Sequence, residues 1–152
     1  MLNSDVKAMT CVRFRGGPTP PRSVGEDRNP GADIAAYLGR ELQVHDVKVE
    51  SIKDVQYAHE VSCTIDARTY AVTVSFDWNS GEWWEVFYGP SLSAFDRLRG
   101  RSEVQTMRKL SAAIYAVLAM LPGIGEMRWY PDYPSSFDSE YAATPESEIG
   151  VR

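Results

Sequence analysis

"VSCTIDARTYAVTVSFDWNSGEWWEVFYGP", Val61 to Pro90, carries a two-residue rhythm that two short turns interrupt without destroying. Val61, Cys63 and Ile65 alternate with Ser62 and Thr64. Beyond "DAR" the same phase resumes as Tyr70, Val72, Val74, Phe76 and Trp78 against Ala71, Thr73, Ser75 and Asp77, and beyond "NSG" it enters Trp83 to Tyr88. Side chains on a strand point alternately to opposite faces, so this spacing predicts consecutive strands with one apolar and one mostly polar face. Turns this short between them predict hairpins, hence an antiparallel meander. Upstream, Tyr57 and His59 keep the apolar phase opposite Gln56 and Glu60, and Val47 and Val49 alternate with Lys48 and Glu50, which adds a fourth strand.

Outside the meander the period changes. "TCVRFRGG" sets Val12 and Phe14 against Arg13 and Arg15, a strand with one wet face stopped by Gly16 and Gly17, and the proline-rich stretch that follows reads as a loop. Asn29 before Pro30 predicts a helix start, and Ile34, Tyr37, Leu38 and Leu42 share one helical face, so helix one is expected over Pro30 to Gln43. After the meander, Leu92, Phe95 and Leu98 suggest one short helical turn. Ser102 and Gln105 then form a capping box for a second helix whose stripe is Val104, Met107, Leu110, Ile114, Val117, Leu118 and Leu121. "EMRWY" predicts a last strand. The resulting order is β-α-ββββ-α-β: an α+β fold, an antiparallel meander with two helices packed on one face. Residues 1–133 are expected as a single domain and 134–152, rich in proline, serine and acid, as a flexible acidic tail.

A chain of 152 residues is long enough to bury one self-sufficient core, and 43% hydrophobic with 24% charged residues is ordinary globular composition. The N-terminal stretch lacks an apolar signal-like run, and nothing approaches the roughly 20 apolar residues of a membrane span. Cys11 and Cys63 both fall in expected strands, which fits inert thiols in a reducing, cytoplasmic setting. The net charge of −5 is concentrated toward the C-terminus, where residues 131–152 hold five acids against Arg152 alone. That balance disfavours nucleic acid and points either to a basic partner or to no partner at all, since a mild acidic excess also simply keeps a protein soluble.

Within the quoted stretch the adjacent tryptophans pose the functional question. Trp84, Val86 and Tyr88 share the apolar phase and belong beneath the helices. Trp83, Glu85 and Phe87 then face the other way, with Asp77 and Glu82 close by. One reading is a satellite cluster covered by the N-terminal loop or the tail. The other is an acidic-aromatic recognition patch of Asp77, Glu82, Trp83 and Glu85, because aromatics make interface anchors and carboxylates orient a basic partner. Trp129, Tyr130, Asp132 and Tyr133 repeat that mix and form a second candidate group.

Signatures of catalysis are sparse. His59 lies in the apolar phase of its strand, as a core imidazole would, and His45 follows a helix end, where a cation meets the dipole favourably. Two histidines and two cysteines show no metal-ligand spacing, so no metal and no cofactor are expected. "FRGGPTPP" lacks the register and lysine of a phosphate loop, and neither "GPSLS" nor "PSSF" matches a nucleophile elbow. Arg97, Arg99, Arg101, Arg108 and Lys109 form the one basic cluster, read as a solvated helix face.

The run Val61–Pro90, followed by "FDRLRGR", an amphipathic helix and "IGEMRWY", resembles a family of small uncharacterised bacterial proteins with an N-terminal helix, a meander and a long C-terminal helix. The layout is also similar to that of immunity partners of bacterial toxins. That resemblance brings no catalytic residues and implies a non-catalytic inhibitor or immunity protein that neutralises a basic toxin or enzyme, as a monomer or weak homodimer. Two alternatives are a small-molecule-binding or enzymatic domain, with a pocket between sheet and helix one using Tyr57, His59 and Tyr70, and a structural homodimer joined through a sheet edge or face.

Overall fold

The two-residue period is realised as a six-stranded antiparallel sheet. Its strands are β1 (Cys11–Gly16), β2 (Lys48–Val55), β3 (Ala58–Ile65), β4 (Arg68–Phe76), β5 (Trp84–Pro90) and β6 (Ile124–Tyr130), in the order β2-β3-β4-β5-β1-β6. The computed structural model describes residues 8–17, 31–55, 58–91, 103–132 and 140–146. Helix α1 (Ala32–Glu41) follows β1, and α2 (Glu103–Ala119) lies between β5 and β6, giving the order β-α-ββββ-α-β of an α+β fold.

Register explains why the meander is stable. Val61 pairs with Val72, Cys63 with Tyr70, Val74 with Val86, and Phe76 with Trp84, so each apolar residue meets another across the strand boundary. Such pairs are the unit of sheet stabilisation. The β3–β4 turn is made by Asp66 and Ala67, both at positive φ (51° and 60°), the backbone twist that suits a tight hairpin. Trp78, expected to close β4, stands instead in the β4–β5 turn, 37% exposed, with its ring edge-on to Phe76 at 5.3 Å.

The sheet is completed from the two ends of the chain. β1 inserts between β5 and β6, pairing Val12 with Val86 on one side and with Trp129 on the other. Gly16 makes that junction possible. Its φ is +84°, and a Cβ there would lie 2.3 Å from the Gly123 carbonyl oxygen, closer than any side chain can approach.

Both helices cover the face carrying Val12, Phe14, Val61, Val72, Val74, Trp84, Val86 and Trp129. Ile34 and Leu38 from α1 and Leu110, Ile114 and Leu118 from α2 are fully buried there. Burial of each such side chain stabilises the fold by about 1.5–3 kcal/mol. The Tyr37 hydroxyl donates to the Val117 carbonyl at 3.1 Å, tying the helices together.

Several expectations about the helices need correction. α1 begins after Gly31, whose left-handed φ of 111° turns the chain into the helix. It gives way at Leu42–His45 to a 3-10 turn, rather than running α-helical to Gln43. Val104, assigned to the apolar stripe of α2, is 46% exposed because it sits in the first turn, beyond the cover of the sheet. The Asn29–Pro30 start, the Ser102 end of the capping box and the short turn at Leu92–Leu98 lie outside the described residues.

The sheet edges are treated differently. β2 is interrupted by a register shift between Val49 and Ser51 and carries Lys48, Glu50, Lys53 and Asp54, the bulge-and-charge combination that discourages edge-to-edge pairing. At the other edge, Trp129 and Ala142 exchange both backbone hydrogen bonds at 2.9 Å, so residues from the expected flexible tail lie along β6. Ala142 is fully buried and Tyr141 only 8% exposed. No helix among the described residues is long and apolar enough to cross a membrane.

Candidate functional site

Trp84, Val86 and Tyr88 join the core beneath the helices, while Trp83, Glu85 and Phe87 belong to the opposite side, as strand parity requires. The two candidate groups prove to be neighbours, because β1 lies between β5 and β6. Cys11 pairs with Phe87 on one side and Tyr130 on the other, and Arg13 pairs with Glu85 and Arg128 in the same way.

The patch these residues make is not an open acidic-aromatic surface. Trp83 is 4% exposed, Glu85 4%, Tyr130 1% and Trp129 fully buried. Three arginines on β1 and β6 are the physical reason. Arg13, expected on a wet face, is itself buried, and its Nη2 lies 2.8 Å from Glu85 Oε1. Arg128 Cζ lies 4.7 Å and Arg15 Cζ 5.1 Å from the centre of the Trp83 ring, where a guanidinium is attracted by the aromatic face. Arg15 also bridges Glu82 at 3.5 Å and Glu126 at 3.2 Å. The carboxylates that the sequence offers to a partner are thus answered from within.

The remaining members are scattered. Asp77 shapes the β4–β5 turn, its carboxylate accepting from the Asn79 backbone N–H at 3.0 Å. Trp129 faces the helices rather than Tyr130's side, 5.9 Å from the Tyr115 ring. Asp132 is exposed just beyond β6, and Tyr133 lies outside the described residues. Tyr130 gathers with Cys11, Phe87 and Tyr141 into a second, smaller cluster on the face away from the helices, with the Tyr141 ring 6.3 Å away. Of the satellite cluster weighed above, Phe87 packs here with Tyr141, while Trp83 is not a member and lies against Arg15 and Arg128.

Groups with reactive potential are held quiet. Burial, reinforced by the Glu85 carboxylate and opposed by Arg13, pushes the Cys11 thiol up to about 12, and burial alone does the same to Cys63. Thiols so protonated are poor nucleophiles. Burial also raises the Tyr88 phenol, whose oxygen lies 2.6 Å from Ser111 Oγ. Tyr70 is fully buried in the core beneath the helices, where the alternative reading put a ligand pocket, and His59, paired with Val74, is 8% exposed. Tyr57, the third residue of that pocket, lies outside the described residues, as do Arg97, Arg99 and Arg101. Among the described residues no group of three His, Cys, Asp or Glu side chains converges in a way that would hold a metal ion.

A different feature, which sequence reasoning missed, opens at one end of the sandwich. A depression of about 570 Å³ lies between the 3-10 turn, the β3–β4 hairpin and α2, lined by Val44, His45, Asp46, Asp66 and Lys109 above Ile65 and Ala113. Lys109 Nζ is 2.8 Å from Asp66 Oδ2. The available signal was that both "HD" after helix one and "DAR" in the hairpin place carboxylates in turns at the same end of the sheet.

Comparison of the chain with protein-family models, with curated proteins and with solved structures gives no match.

Proposed function

We propose that this chain works by binding another protein without transforming it, as an inhibitor or immunity partner of a basic toxin or enzyme. The observation that carries this reading is the internal pairing of four of the described bases. Arg13 is taken by Glu85, Arg15 by Glu82 and Glu126, Arg128 by Glu126, and Lys109 by Asp66. With a net charge of −5, the surplus that remains for an incoming surface is carboxylate. Such a surplus steers a basic partner and repels the nucleic-acid backbone. The thiols buried in protonated form and the phenol tied to Ser111 agree with a rigid scaffold rather than a catalyst.

The deciding experiment is titration of the purified chain with the product of the adjoining gene, followed by calorimetry and, where that product is an enzyme, by its activity. The expected result is a one-to-one complex whose association rate falls as salt is raised, with loss of the partner's activity. No association at micromolar concentrations in low salt would end the reading.

A further inference from the structure

We infer that the depression at the end of the sandwich is the recognition site, and that it takes an arginine or lysine side chain presented by the partner protein; this rests on the binding reading above. Two turns and helix α2, far apart in sequence, meet there, and each contributes something a basic side chain needs. Ile65 and Ala113, 7% and 5% exposed, form an apolar floor for an alkyl stem. Asp46 and Asp66 supply carboxylates at the lip, and Val44, 73% exposed, adds an apolar contact on the rim. Long basic side chains bury the stem and keep the charged head at a polar rim, which is the arrangement offered here.

Charge complementarity decides between a cation and an anion. The lining holds two carboxylates, Asp46 and Asp66, against the single ammonium of Lys109, beside the His45 imidazole. The ammonium is already paired, because Lys109 is bound to Asp66. Asp46 makes no side-chain hydrogen bond or ion pair among the described residues, and a cation is what it lacks. The mouth is wide, with the Lys109 and Asp66 side chains 59% and 47% exposed. Enclosed small-molecule sites bury most of their ligand, whereas an open dent suits a side chain delivered by a flat protein surface.

Asp46 adopts a left-handed backbone, φ 63°, and Asn tolerates that conformation, so Asp46→Asn removes the charge while keeping the turn. The probe is N-acetyl-arginine methylamide, followed by NMR on the chain, with N-acetyl-norleucine methylamide and inorganic phosphate as comparisons. The blocked arginine is expected to shift the Val44, Ala112 and Ala113 resonances with millimolar affinity, and the norleucine compound is not. Asp46→Asn should weaken the effect several-fold. Lys109→Met, which frees Asp66, should strengthen it. Should phosphate move these resonances instead and Lys109→Met abolish the effect, the site is an anion site and the inference is overturned. Absence of any localised shift overturns it as well. In the complex with the partner, Asp46→Lys should lower affinity at least tenfold. A complex that forms and ignores this substitution refutes the site while leaving the binding reading intact, and failure of the unaltered chain to bind refutes the reading itself.

Discussion

Arg13 and Glu85 face each other across β1 and β5 with Nη2 and Oε1 2.8 Å apart, both side chains almost wholly buried on the face away from the helices. Removing either member leaves the other charge at that depth without this counter-ion. Glu85→Leu or Arg13→Met alone should therefore destabilise the fold by about 3–5 kcal/mol, the usual penalty of breaking a buried pair. The double substitution removes both charges and should recover most of the loss. Urea unfolding of the four chains measures the cycle, and an additive double variant would show that the two groups do not depend on each other.

Trp83 invites a sharper contrast with its neighbour. Both indoles are buried, but Trp84 lies in the helix-side core against Phe76, ring centres 4.8 Å apart, while Trp83 is held under Arg15 and Arg128 on the other side. Arg128→Met keeps much of the packing and removes the cation, so it should cost about 0.5–2 kcal/mol, within the range of such contacts. Trp83→Ala should cost about 3–5 kcal/mol, as for other buried large aromatics. Loss of a partner complex in Trp83→Ala would then report unfolding rather than a lost anchor, and circular dichroism of the variant distinguishes the two.

Strand phase was legible because period two is a property of neighbouring residues: Trp84, Val86 and Tyr88 fall beneath the helices from their spacing alone. The fate of Trp83 was not legible, since its cover comes from Arg128 and Arg15, strands that the meander does not contain. Glu85 looked available for the same reason, and Arg13 looked solvated because an arginine alternating with Val12 and Phe14 ordinarily faces water. The order of the strands, with β1 between β5 and β6, turns both expectations into one buried pair. Likewise Asp46 and Asp66 sit in separate turns, and the meeting of those turns beside helix α2 makes them one site.

The buried thiols set an alkaline limit on stability. Cys11 and Cys63 ionise near an ordinary 9.0 when unfolded and only at about 12 when folded, so the folded chain holds more protons between those values. Their contribution is complete below pH 9 and declines as pH rises toward 12. Tyr88 is raised above its ordinary 10.0 and acts in the same direction. Urea midpoints should therefore fall steadily over that alkaline window. At pH 8 the thiols should react with an aromatic disulfide reagent only as fast as the chain opens. Immediate reaction of the folded protein would contradict the burial.

The last prediction concerns the strap on β6. The Ala142 N–H donates to the Trp129 carbonyl, and the Trp129 N–H donates to the Ala142 carbonyl, both at 2.9 Å, while the Arg128 guanidinium lies 4.6 Å from the Tyr141 ring centre. Ala142→Pro deletes the first donor, and the proline ring cannot follow a paired strand edge. The strap should detach, exposing the Trp129 amide and the outer edge of β6. Hydrogen exchange at the Trp129 amide should then accelerate at least tenfold, with a loss of about 1–3 kcal/mol in stability from the abandoned hydrogen bonds. An uncovered strand edge is also a template for pairing with another chain, so the variant should self-associate at concentrations where the parent does not. Unchanged exchange at Trp129 would mean that the strap contributes nothing to closing that edge.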